Sequence, residues 1–247
     1  MDITEIEPEE KIKMKKYKFS CDEGCDGIPA PLPNVLRFNM AIIGKAGSGK
    51  TSLLMNLVCK RGKIYNKKFD KVYIFSPSLR SMDDCPFDKL PEEQLYDDLD
   101  EENLQSVIDD ITDSGDKVLI IFDDVVNDMV KSPELQRMLC KLLMNRRHIA
   151  GYGGGISVII TSQVYNKIPC AIRKTFSHMI LVNIKQKREL DTLYDEHILV
   201  DKKQFDTICK YCYKDKFDFI YLDLEKPYDK VFHRNFNKLE MDLDKKI

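Results

Sequence analysis

GKAGSGKT, Gly44 to Thr51, follows the apolar run FNMAII, and it confines the chain to folds in which a buried strand turns through glycine into a helix. The spacing is G-x-x-x-x-G-K-[ST]. Backbone N–H groups of such a loop cradle phosphate oxygens, Lys50 neutralises charge on the terminal phosphates, and the Thr51 hydroxyl ligates Mg²⁺. After it, KTSLLMNLVCKR places apolar residues at helical spacing, so strand, glycine loop and helix follow in the order the motif requires. The candidate nucleotide-binding residues are Gly44, Lys45, Ala46, Gly47, Ser48, Gly49, Lys50, Thr51 and Ser52. The bland alternative is a glycine-rich turn with no ligand.

At 247 residues the chain fits one α/β domain with a tail. Residues 1–34 are charged, then rich in Gly and Pro, and read as a tail or irregular lead-in to a domain over 35–247. No apolar stretch approaches the roughly 20 residues of a transmembrane helix. No integral membrane segment is therefore expected, and the opening MDITEIEPEEKIKMKK, with acids and no apolar region, does not read as a secretory signal. A net charge of −2 gives no global electrostatic case for nucleic acid, though a local one stays open. Lysines far outnumber the nine arginines, which makes each arginine more informative as a phosphate fork. Cys21 and Cys25 (CDEGC) with Cys209 and Cys212 (CKYC) roughly meet four-thiolate zinc spacing, but reduced structural thiols are the preferred reading.

Five β-rich runs, RFNMAII, KVYIFSP, KVLIIFDD, GISVIITS and HMILVNI, alternate with segments of helical periodicity. Near-continuous apolar strands of this kind predict an α/β fold with a mainly parallel central sheet flanked by helices on both faces. The acidic stretch from Phe87 to Asp116 reads as a solvated helix and linker, and SPELQRMLCKLLMNRRH as a helix capped by Ser132 with Pro133 in its first turn. QKRELDTLYDEHIL and DKKQFDTICKYCYK predict two more helices and KFDFIYLDLE a strand, a C-terminal helix-helix-strand extension.

Ligands of an open α/β sheet gather outside the carboxyl ends of its strands, so Asp123 at the end of VLIIFDD can reach the Mg²⁺ beside Thr51. Asp124 is then placed to polarise a water for attack on a γ-phosphate. Alternatively, the two acids merely end a strand. Gln163, ending ISVIITSQ, reads equally as a γ-phosphate sensor and as a strand cap. Arg146 and Arg147, at a helix end before the turn AGYGGG, are candidates for the arginine that stabilises transition-state charge, in cis or from a neighbouring subunit. Complementing the helix dipole is the competing role. Arg173 and Arg188 rank second. The stretches NKKF and NKIP lack the Asp of a guanine reader, which favours ATP, and no arginine-rich lid of a small-molecule kinase is evident.

With GKAGSGKT, IIFDD, a helix ending in NRRH, then ISVIITSQVYNKIPCAIRKT and NIKQKRELDTLYDE, the chain resembles the poxvirus-type genome-packaging ATPases of large DNA viruses. Relatives occur in virophages and Polinton-like elements, within the FtsK/HerA group of P-loop DNA-pumping motors. The ordered set, with Y-x-x-I-P-x-x-I-R after the fourth strand and K-R-E-L after the fifth, is more specific than the loop and acids alone. The resemblance runs from about Leu36 past FDFIYLDLE and implies a RecA/ASCE-like P-loop NTPase fold. It also implies ATP and Mg²⁺ as cofactors and a hexameric or pentameric ring that threads double-stranded DNA into a preformed capsid. Capsid or portal components would be partners, at a cytoplasmic viral assembly site or in the virion.

By the same resemblance Lys50 and Thr51 bind phosphate and Mg²⁺, Asp123 holds the metal, Asp124 activates water, and Gln163 senses the γ-phosphate. Cellular cousins more often carry Glu at the second acid; Asp124 is one methylene shorter. The basic stretches NKIPCAIRK, with Lys167, Arg173 and Lys174, and KQKR are candidate DNA grips, with ordinary solvated lysines as the alternative. The rival functions are a helicase or other nucleic-acid-dependent ATPase, and a nucleotide-binding scaffold without turnover.

Overall fold

A computed structural model describes residues 22–59, 64–78, 87 and 90–240. Cys21, the first part of the lead-in and the Lys60–Arg61 end of the predicted first helix lie outside the described residues. The strands are β1 (Asn39–Gly44), β2 (Lys71–Phe75), β3 (Leu95–Tyr96), β4 (Lys117–Asp123), β5 (Gly155–Ser162), β6 (His178–Val182), β7 (Phe219–Asp223), β8 (Phe232–Arg234) and β9 (Asn237–Lys238). The helices are α1 (Lys50–Val58), α2 (Glu101–Ile111), α3 (Pro133–Asn145), α4 (Cys170–Arg173), α5 (Lys187–His197) and α6 (Lys202–Cys212). One sheet runs β3-β2-β4-β5-β1-β6-β7-β8-β9; β1 to β6 pair in parallel, and β7, β8 and β9 join antiparallel.

Strand side chains alternate between faces, and the sheet divides its apolar residues accordingly. Ala41, Ile43, Val118, Ile120, Phe122, Val158, Ile160, Met179 and Leu181 enter one core layer. Met40, Ile42, Leu119, Ile121, Ile159, Ile180 and Val182 enter the other. The first layer packs under α2, α3, α5 and α6, the second under α1 with Tyr65 and the lead-in residues Leu32 and Leu36. Backbone carbonyls of that lead-in accept from the core, Pro31 from Tyr221 Oη at 2.9 Å and Pro33 from Tyr65 Oη at 2.9 Å.

The local signals act as physics requires. Ser132 caps α3, its Oγ accepting from Leu135 N at 3.0 Å, with Pro133 in the first turn. The acidic stretch forms α2, capped by Asp100 and anchored by Leu104, Val107 and Ile111; Glu102 and Asp109 face water, while Glu101 accepts from Ser132 and Asp110 from Tyr73 and Lys71. Strands β3, β8 and β9 were not anticipated; at two or three residues they are too short to display a period. No described helix is long and apolar enough to cross a membrane.

Because β4, β5, β1 and β6 are parallel, their carboxyl ends meet one edge. The register places Asp123 opposite Thr161, Thr161 opposite Ile42, and Ile42 opposite Ile180. Asp123 thus stands two strand spacings, roughly 10 Å, from β1.

Candidate nucleotide site at the carboxyl edge of the sheet

Gly44 ends β1 where backbone passes close to β6. A Cβ there would lie 2.6 Å from Ser48 Oγ and 3.0 Å from the Val182 carbonyl oxygen, so only glycine fits. Gly49 caps α1 at φ +93°, a left-handed conformation that side chains rarely adopt. Between them the loop aims the α1 N-terminus at the strand ends, which is the anion-binding end of the helix dipole. Lys50 Nζ donates to the carbonyl oxygens of Gly44 at 2.7 Å and Lys45 at 3.2 Å. Burial lowers its pKa from the usual lysine value, and the Asp124 and Asp123 carboxylates act against that shift. The phosphate loop and both acids therefore share one electrostatic neighbourhood on one side of the molecule.

Asp123 is buried and held from both flanks. Thr161 Oγ1, from β5, donates to its Oδ1 at 2.6 Å, and Ser76 Oγ, just past β2, donates to its Oδ2 at 3.0 Å. The same Thr161 oxygen accepts from Asp124 N at 3.0 Å, so one hydroxyl fixes both acids. Asp124 turns out of the strand at φ +59°, which Asp tolerates better than most residues and which directs its side chain away from the line of β4. Gln163 Nε2 donates to Asp124 Oδ2, joining the ends of β4 and β5. Neither Ser76 nor the double role of Thr161 was foreseen, because a hydroxyl in an apolar run carries no sequence signal of what it faces.

The Thr161→Val protein is expected to lose about 1–3 kcal/mol of unfolding free energy, since the isostere leaves Asp123 and the Asp124 amide each short of a partner. Urea denaturation measures this, and an unchanged midpoint and slope would contradict the assigned contacts.

The side chains of this edge have the chemistry that a nucleotide and Mg²⁺ require. Ser48 Oγ in the loop is buried without a hydrogen-bond partner, a polar atom suited to a ligand. The Thr51 hydroxyl and the Asp123 carboxylate are oxygen donors of the kind a hard cation takes, and each carboxylate oxygen of Asp123 keeps lone-pair capacity beyond its one hydroxyl. Mg²⁺ commonly takes one or two carboxylates and completes its shell with substrate phosphates and water. The residues fit.

The arginines lie elsewhere. Arg146 Nε donates to the Arg37 carbonyl at 2.6 Å and its Nη1 to Leu143 at 3.0 Å, while its own carbonyl accepts from Ile156 N at the start of β5. It is therefore a tie at the amino edge of the sheet, opposite the phosphate loop, and cannot serve the nucleotide of its own chain. Burial, with Arg147 and Arg37 nearby, lowers its pKa. Arg147 is exposed at that same edge.

Arg173, expected as a DNA grip, is 9% exposed and pairs with Glu196 at 2.6 Å, its guanidinium 5.1 Å from the Tyr165 ring centroid. It belongs to a buried network in which Tyr165 Oη also donates to Glu196 at 2.6 Å. NKIPCAIRK has Lys167 beside Asn127 at the carboxyl edge and ends at Lys174, next to Thr175, which contacts Asn39 at the amino edge. Lys167 and Lys174 therefore do not form one patch. Lys185, Lys187 and Arg188 are exposed just after β6, on the edge of the phosphate loop.

Cys25 packs against the α1 layer and Cys209 and Cys212 against the opposite one, so Cys25 does not converge with them on a zinc, and Cys21 lies outside the described residues. Burial raises the thiols to about 12 for Cys209 and about 11 for Cys212, as inert structural cysteines.

A parallel sheet whose β1 leads through this loop into α1, with paired acids ending β4 two strands away, has the P-loop NTPase fold. The NACHT domain family matches residues 39–152, from β1 through α3 to the glycine-rich turn. Among solved structures, the chain is similar to the genome packaging NTPase B204 from Sulfolobus turreted icosahedral virus 2 in complex with sulfate. Identity is 15%, over 83% of this chain and 98% of that one, with a TM-score of 0.57. It is also similar to B204, the DNA-packaging ATPase from Sulfolobus turreted icosahedral virus, with 13% identity, the same coverage and a TM-score of 0.57. The pCW3 conjugation coupling protein TcpA, in its monomer form with ATPgS, is 13% identical over 85% of this chain and 63% of that one, with a TM-score of 0.53. No curated protein sequence matches the chain. At these identities the likeness is one of fold, and it agrees with the resemblance that the motifs carry.

Proposed function

We propose that the protein is an ATP-hydrolysing motor that translocates double-stranded DNA, acting in the packaging of a viral genome into a preformed capsid. The observation that carries this reading is the Gln163–Asp124 contact at the edge where Lys50 feels both acids. If Asp124 activates the water and Gln163 meets the γ-phosphate, their hydrogen bond would link hydrolysis at the end of β4 to the end of β5, as coupling of hydrolysis to motion needs. The fold similarity to a viral genome packaging NTPase and a conjugation coupling protein supports the direction.

In this account Gly44 to Ser52 hold the triphosphate, and Lys50 leaves its two loop carbonyls to meet the terminal phosphates. Thr51 and Asp123 would hold Mg²⁺, which when bound would neutralise phosphate charge. Asp124 takes the proton of the attacking water, and Gln163 reports whether the γ-phosphate is present. Self-association into a ring would bring the exposed Arg147 of one copy toward the nucleotide of the next. Lys185, Lys187 and Arg188 would meet DNA phosphates without reading bases.

A triplex-displacement assay tests the motor. The protein with ATP and Mg²⁺ is expected to strip a third strand from duplex DNA while leaving the duplex paired. Separation of the duplex strands would identify a helicase, and absence of turnover with or without DNA would leave a nucleotide-binding scaffold.

A further inference from the structure

Asp123, Asp124 and Gln163 all lie on the β4–β5 side of the phosphate loop, and β6 and β7 lie on the other. A nucleotide whose γ-phosphate faces those three residues must direct its nucleoside away from them, toward β6 and β7. The segment 213–218, which leads into β7, stands there and is fixed at many points. Asn183, just past β6, donates from Nδ2 to the carbonyls of Asp215 at 3.1 Å and Lys216 at 3.3 Å. Tyr213 Oη donates to Leu181 at 3.2 Å.

The Asp218 carboxylate accepts from Asn235 Nδ2 at 2.6 Å, from the backbone N–H groups of Asp215 at 2.9 Å and Lys214 at 3.0 Å, and from Arg234 at 3.0 Å. This rigid loop presents Phe217, 62% exposed, against the phosphate loop. A Cβ on Gly49 would lie 3.3 and 3.8 Å from two carbons of its ring. Lys216 Nζ stands 5.0 Å from the ring centroid. A large aromatic left mostly in water beside the glycine loop, with Lys216 over its ring, is a platform for a flat partner on its exposed surface.

We propose that Phe217 stacks on the purine base of the bound nucleotide. The inference rests on the nucleotide-binding reading above and adds the group that holds the base. Recognition by a ring face supplies affinity through the base with no dedicated hydrogen-bond reader of its edge.

The test compares binding of Mg-ATP and of Mg-tripolyphosphate, which lacks the nucleoside, by calorimetry on the full chain. Phe217→Ala is expected to weaken ATP binding roughly tenfold and to leave tripolyphosphate binding unchanged, which also shows that the variant is folded. Phe217→Trp is expected to keep ATP affinity. Unchanged ATP affinity in Phe217→Ala, or equal losses for both ligands, would overturn the stacking role. A wild-type protein that binds neither ligand would instead remove the nucleotide reading beneath it.

Discussion

Asp124→Asn protein is expected to bind ATP as tightly as the wild type and to hydrolyse it at least about a hundredfold more slowly, the contribution of a positioned general base. Asparagine keeps the size of the side chain and accepts a hydrogen bond through its amide oxygen, so the link to Gln163 and the left-handed turn at φ +59° survive. What it cannot do is take a proton from water. A trapped ATP complex with slow turnover is therefore the predicted state, measured as phosphate release beside calorimetric affinity. Hydrolysis at the wild-type rate would mean that Asp124 only ends a strand.

Lys50→Ala makes a different prediction, loss of binding itself. The side chain is buried at the loop, donates to two of its carbonyls and offsets the two nearby carboxylates. Its removal leaves Asp123 and Asp124 uncompensated, so an incoming triphosphate meets net negative charge as well as the loss of charge-assisted hydrogen bonds of roughly 1.5–3 kcal/mol each. ATP affinity should fall by about a hundredfold or more in a titration. Lys50→Arg should recover little of it, because a planar fork does not replace a compact ammonium seated between two loop carbonyls. Full ATP affinity in Lys50→Ala would place the nucleotide elsewhere.

The sheet was legible because strands buried on both faces must be apolar throughout, and segments such as VLIIFDD and ISVIITS have no other stable place. The phosphate loop was legible because its glycines answer to backbone geometry that other residues cannot meet. What the sequence concealed was orientation. Arg146 and Arg147 follow α3 at the amino edge, and no local pattern says which end of the sheet a helix terminus reaches. Arg173 looked like a free basic residue, yet its motif Y-x-x-I-P-x-x-I-R is a packed unit. Tyr165, Ile168 and Ile172 are buried, and Arg173 pairs with Glu196.

The second motif joins the first. Glu189 of K-R-E-L is buried and accepts from Tyr165 N at 3.2 Å, so two stretches that stand apart in sequence form one brace directly after Gln163. Their spacing thus reflects the support of the strand end that carries the γ-phosphate candidate. Ser76 is silent in the sequence for the opposite reason: a serine after an apolar strand is common, and only its contact with Asp123 gives it meaning.

The most direct measurement is a structure of the protein with Mg²⁺ and a slowly hydrolysed ATP analogue. The triphosphate should lie along Gly44 to Thr51, its γ-phosphate separated from Asp124 and Gln163 by a single water. A γ-phosphate directed toward β6, or a nucleotide seated away from the glycine loop, would contradict the account.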